Sequence, residues 1–153
     1  MADPRTARPK RGRWPDRPAI CSRHDEPVVL MPIIECRNPA GLDDFAKDRL
    51  AEQITADVHA VIRSPEDLIS VTFDDLPAGS TYRAGTRTAD TVIICHIREG
   101  RSDEAILRLM GTISATWSKH THTAEEHIEL AVAQYPAKHT MRRGQRLPEP
   151  PIV

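Results

Sequence analysis

The sequence predicts an α/β (α+β) fold in which two fused β-α-β units form one four-stranded sheet with both helices on one face. Three observations carry this reading: two stretches repeat apolar residues at helical spacing, short apolar runs bracket each of them, and a turn-rich stretch separates the pairs. In the first unit, Pro32–Cys36 is a short apolar strand. Gly41-Leu42-Asp43-Asp44 then opens a helix carrying Phe45, Leu50, Ile54, Val58 and Val61, mostly three or four apart, and Leu68–Phe73 (LISVTF) returns as a strand. The stretch from Pro77-Ala78-Gly79-Ser80 to Gly85 reads as turns. In the second unit, Thr91–Ile97 (TVIICHI) is a strand and Ser102 caps a helix that presents Ile106, Leu109, Met110, Ile113 and Trp117 on one stripe. Ile128, Leu130 and Val132 alternate as the last strand. The halves span 32–76 and 90–133, and a C-terminal tail follows.

Parallel β-α-β units cross over right-handed, so two of them place both helices on the same side of the sheet, and both helical stripes read as core. The second face of the sheet then lacks a cover. A symmetric oligomer supplies one.

Composition separates residues 1–31 from the rest. They hold 7 of the 21 Lys and Arg, 4 of the 22 Asp and Glu and 5 of the 13 prolines, a net charge of +3, without a periodic apolar run. A disordered basic extension is expected there, either a solvated leader or an over-extended start. The run AICSRHDEPVVL is too short and too polar to span a bilayer. Residues 32–153 carry 14 basic and 18 acidic residues, a net of −4, which argues against nucleic acid as a partner. Cys21, Cys36 and Cys95 are odd in number and irregular in spacing, so they read as buried thiols of a reducing compartment, by default the cytoplasm.

Met31-Pro32 stands where the folded pattern begins. If translation or processing starts the chain there, Pro32 becomes a secondary amine whose neutral form takes protons near physiological pH; within the 153-residue chain the same nitrogen is an amide without basicity. The second motif is Arg98-Glu99-Gly100-Arg101-Ser102, between a strand and a helix start. Two arginines oppose the positive end of the helix macrodipole, and Asp103 and Glu104 offset them only partly. A bound carboxylate or phosphate would balance them, although surface arginines paired with nearby acids would explain the fragment equally well.

MPIIE followed by GLDDFAKDRLAEQITADV resembles the amino-terminal unit of the tautomerase superfamily. ADTVIICHIREGRSDE and the late YPAKHTMRRGQRLPEP are similar to its cis-3-chloroacrylic acid dehalogenase branch, over nearly all of residues 32–150. The resemblance implies fused double β-α-β subunits assembled as homotrimers, with Pro32 as the catalytic acid/base and Arg98 and Arg101 holding the substrate carboxylate. Other branch positions differ. The histidine of the first helix falls on Val58, with His59 beside it, the tyrosine of the final strand falls on Ala131, and the water-activating glutamate falls on Arg142. These departures put dehalogenation in doubt but leave proton shuttling by Pro32, as in keto–enol isomerisation.

His120, His122 and His127 with Glu125 and Glu126 match no closed zinc spacing, so no metal is expected. His96 reads as a hydrogen-bonded core or interface histidine, and adjacent Asp74 and Asp75 face opposite sides of a strand. The reading is therefore a tautomerase-like isomerase for a small carboxylate-bearing enol or unsaturated acid, without cofactor, nucleic acid or membrane. Pro32 moves the proton, and Arg98, Arg101 and Arg142 bind substrate, three cations that favour a dicarboxylate unless Arg142 lies on a solvated C-terminal segment, Arg142-Arg143-Gly144, that points away from the pocket. Two alternatives remain: a binding or assembly protein whose proline is blocked by the extension, and a cis-3-haloacrylate dehalogenase or hydratase.

Overall fold

The computed structural model of the chain describes residues 31–39 and 41–150. The extension expected over 1–31 and Cys21 lie outside the described residues, Met31 excepted. Strand β1 is Ile33–Asn38, helix α1 is Asp44–Ile62 and strand β2 is Ser70–Asp75. Strands β3 (Tyr82–Arg83) and β4 (Thr86–Arg87) form a hairpin that leads to strand β5 (Thr91–Arg98). Helix α2 (Asp103–Thr121), strand β6 (Ile128–Tyr135) and a second hairpin, β7 (Met141–Arg142) and β8 (Gln145–Arg146), complete the chain.

The sheet order is β2-β1-β5-β6. β1 pairs parallel with β2, β5 parallel with β6, and the two units meet antiparallel through β1 and β5. The helices begin where the side chains can cap them. Asp43 accepts from the Ala46 N–H at 2.7 Å and Ser102 from the Ala105 N–H at 3.2 Å, each satisfying one orphan donor of a first turn. Arg63 and His122 end the helices in the left-handed conformation.

Period-two alternation sends Ile34, Cys36, Ile93, Cys95 and Ile97 to the helical side, where they meet Leu50, Ile54, Val58, Ile62, Leu109, Ile113 and Trp117. Each large side chain buried this way stabilises by about 1.5–3 kcal/mol relative to exposure. Burial pushes both thiols, Cys36 and Cys95, up to about 12, so they are inert apolar filler. The predicted stripes are core with two exceptions: Phe45 is 72% exposed, because it sits in the first turn of α1 on the side away from the sheet, and Met110 is only partly buried and lies outside the core cluster. A second correction concerns the strand predicted over Leu68–Phe73. Pro65 starts a 3₁₀ turn at Glu66–Leu68, and pairing begins only at Ser70.

The duplication extends further than the predicted β-α-β pattern. Asp44 and Asp103 open the helices 59 positions apart, and the same interval separates the helix ends, the 3₁₀ turns and both hairpins. Pro77-Ala78-x-x-Thr81-x-Arg83-x-Gly85-x-Arg87 recurs as Pro136-Ala137-x-x-Thr140-x-Arg142-x-Gly144-x-Arg146. Each hairpin turns through two residues of positive φ, Ala84-Gly85 and Arg143-Gly144, the two-residue loop that matches strand twist. The turn stretch and the tail of the sequence reading are thus the same structural unit. Among the described residues, no helix is long and apolar enough to cross a membrane.

Candidate active site

Antiparallel pairing of β1 with β5 brings the start of one strand to the end of the other. Ile33 pairs with His96, so one step further sets Pro32 across from Ile97 and beside Arg98. Pro32 is buried, and its carbonyl accepts from the Ser70 N–H at 3.0 Å, which joins the start of β2 to the same end of the sheet. Tyr135 pairs with Arg98 from β6. Arg101 lies just before Ser102, the cap of α2.

Arg98 is 1% exposed and Arg101 7%. One Arg98 nitrogen donates to the Pro148 carbonyl. Nε and Nη2 of Arg98 and Nε and Nη1 of Arg101 are buried without a hydrogen-bond partner among the described residues. Burial pulls Arg98 down while the Glu149 charge opposes that shift, and burial together with the Arg98 charge brings Arg101 down to about 10. An arginine guanidinium is not deprotonated in proteins, so both stay cationic at neutral pH. Buried polar groups are nearly always paired, and unpaired ones carry a desolvation cost of about 1–3 kcal/mol or more. Four guanidinium N–H groups without partners, next to a helix N-terminus, can together accept an anion with at least two oxygens.

The tail wraps this end. Leu147 packs with Leu68 and Met31, the Leu147 N–H donates to the Thr140 carbonyl at 3.1 Å, and a Cβ at Gly100 would lie 3.4 Å from Pro150. Met31 enters Pro32 with φ of 92°, a conformation uncommon for a residue with a side chain.

Arg142 stands on β7, half-buried, and its guanidinium makes no hydrogen bond or ion pair to any of the described residues. Its counterpart in the first half, Arg83, reaches Asp90 at 2.9 Å and Glu129 at 3.2 Å. The positions 59 earlier than those acids are Met31 and Ser70, so Arg142 has no carboxylate to match.

His59 is exposed, and its Nδ1 lies 2.8 Å from the Ser64 carbonyl, so it finishes α1. Val58 is in the core. His96 is hydrogen-bonded, as expected: its Nδ1 lies 2.8 Å from the Tyr135 hydroxyl, and Nε2 lies 3.6 Å from Glu35. Sequence reasoning did not single out Tyr135, Glu35, or the tail contacts through Leu147 and Pro148. The repeat Pro-Ala-x-x-Thr-x-Arg-x-Gly-x-Arg was the available signal for the tail. His127 sits at the other end of the sheet, with Nδ1 3.0 Å from Asp90.

A search of curated proteins gives no match. Among solved structures, the chain resembles N1, described as a member of the cis-3-chloroacrylic acid dehalogenase family, at 26% identity and TM-score 0.73 over 77% of this chain and 85% of that one. It resembles native Ps01740 at 26% identity and TM-score 0.69, over 72% and 99%. A fused 4-OT described as an asymmetric trimer shares the fold at 22% identity and TM-score 0.71, over 74% and 94%. Residues 31–152 match the family described as "Putative oxalocrotonate tautomerase enzyme", and the chain accordingly belongs to that family of the tautomerase superfamily.

Proposed function

We propose that this protein is a tautomerase-like enzyme acting on a small carboxylate-bearing enol or unsaturated acid, with Pro32 as its acid/base once the proline nitrogen is free. The observation that carries the reading is the strand register that sets Pro32 at the end of the sheet where Arg98 and Arg101 are buried and incompletely paired among the described residues. Arg98 and Arg101 hold the substrate carboxylate and draw electron density toward it. The free amine of Pro32 takes the enol O–H proton and, as the ammonium, returns a proton to carbon, so the enol becomes the ketone with no net change in protons. Arg142 is the third substrate-binding cation, and it favours substrates with a second anionic group.

Assembly as a homotrimer fits the same reading. The sheet face turned from the helices presents Ile33, Val92, Ile94 and Ala133, partly exposed in the single chain, and the fused 4-OT relatives are described as trimers. A dehalogenase or hydratase is the second reading, favoured by the likeness to N1; it needs a base to activate water in place of the carboxylate that Arg142 replaces.

The test is the start of the chain. A form beginning Met31-Pro32, with the methionine removed, is expected to ketonise phenylenolpyruvate or a 2-hydroxydienoate far faster than the 153-residue form, because an amide has no basic lone pair. Equal rates from both forms, each verified by intact mass and light scattering, would refute the catalytic role of Pro32 and leave the blocked binding protein.

A further inference from the structure

The two hairpins share one backbone and differ in what holds them to the sheet. Arg83 on β3 is tied to Asp90 and Glu129, and Asp90 is held in turn by His127. Arg142 occupies the position of Arg83 on the second hairpin, yet Met31 and Ser70 stand where those acids would be. The contrast is sharpened by burial: Arg83 is exposed and has two carboxylates, whereas Arg142 is half-buried and has none among the described residues. A cation drawn partly out of water without a counter-ion favours any anion that can reach it. Met31 and Ser70 flank Pro32, through the chain and through the Ser70 N–H bond, so the vacant acid positions border the site of Arg98 and Arg101.

We infer that the hairpin of β7 and β8 is a lid latched by the substrate itself. One carboxylate of a dianion sits on Arg98 and Arg101, and the second takes the place of the missing acids and draws Arg142 onto it. A monocarboxylate fills the first position and leaves the lid unlatched, held by Leu147 against Leu68 and Met31 and by the Pro148 carbonyl on Arg98. This inference rests on the reading of that end as an anion site, but it does not require a free Pro32.

Hydrogen–deuterium exchange on the whole 153-residue chain tests it, with maleate and crotonate as probes at matched ionic strength. Maleate is expected to slow exchange of the hairpin amides by about tenfold, the effect of one charge-assisted pair, while crotonate leaves them unchanged. In Arg142→Ala the maleate effect disappears. In Ser70→Glu, which restores the counterpart of Glu129 at an exposed strand end, the hairpin is protected without ligand and maleate adds nothing. Hairpin exchange indifferent to maleate in the wild type, or protection that survives Arg142→Ala, overturns the lid. Titration calorimetry separates the two levels. Binding of both probes that is lost in Arg98→Ala, with a hairpin indifferent to maleate, overturns the lid alone, whereas absence of binding by both probes overturns the anion site and the lid with it.

Discussion

The two ends of the central strand pair are built from equivalent pieces and carry opposite solutions to charge. At one end Arg83 and His127 are met by Asp90 and Glu129, all supplied by the chain. At the other end the chain gathers Arg98 and Arg101, and the carboxylate whose charge reaches Arg98 belongs to the exposed Glu149. Where Pro32 opens β1, the equivalent position on β5 is Thr91; where Arg98 and Arg101 stand, the first half has Pro39 and Leu42. A duplicated scaffold thus uses one end for cohesion and keeps the other short of negative charge. The comparison teaches that the proposed anion site lies where the halves depart from the repeat, since the repeat alone would have balanced both ends.

Substitutions can break this contrast, and the largest effect is expected at Arg98. Arg98→Ala removes a buried cation from the anion site, so kcat/KM of the form starting at Pro32 should fall roughly ten- to hundredfold, corresponding to about 1.5–3 kcal/mol for a charge-assisted pair. Lysine at the same position should restore only part, because it cannot present a planar fork. Wild-type kcat/KM in Arg98→Ala would remove this residue from the site.

A paired test compares Arg142→Ala with its counterpart Arg83→Ala. The first should lower the preference for a dicarboxylate enol over a matched monocarboxylate by about tenfold, and the second should leave that ratio unchanged. An unaltered ratio in Arg142→Ala would place this arginine outside the site. The smallest effect belongs to the balanced end. His127 first, then Arg83, hold the Asp90 carboxyl below its ordinary value of 3.8. A depressed folded value means that the carboxylate stabilises the fold above that ordinary value, and that the contribution fades as pH falls through the lower, folded one. Urea unfolding should therefore show wild type more stable than Asp90→Asn at pH 7, with the gap narrowing below about pH 4. A constant gap across that range would mean that the charge of Asp90 contributes nothing to stability.

Much of the architecture was legible because its signals are local. Ser102 caps the helix that it was expected to cap, α1 begins within the Gly41-Leu42-Asp43-Asp44 stretch expected to open it, and Leu50, Ile54, Val58, Leu109, Ile113 and Trp117 reach the core from their spacing alone. Phe45 fits the same spacing and stays outside, because a stripe does not say how far along a helix the sheet extends. The hairpins were missed for a related reason. Two-residue strands carry no periodicity, and only comparison of the halves reveals Thr81-x-Arg83-x-Gly85-x-Arg87 beneath Thr140-x-Arg142-x-Gly144-x-Arg146.

By itself the sequence determined the order of elements, their caps, their inward faces and the two suspect motifs at Pro32 and Arg98, since each depends on residues within a turn or two of one another. The tertiary structure alone decided that β1 and β5 run antiparallel, and with it that Pro32 and Arg98, 66 positions apart, share one end of the sheet. It also decided that the arginines are buried with N–H groups unpaired among the described residues, and that the Arg142 guanidinium finds no partner among them. Pairing between distant strands is set by packing of the whole domain, which no local pattern encodes.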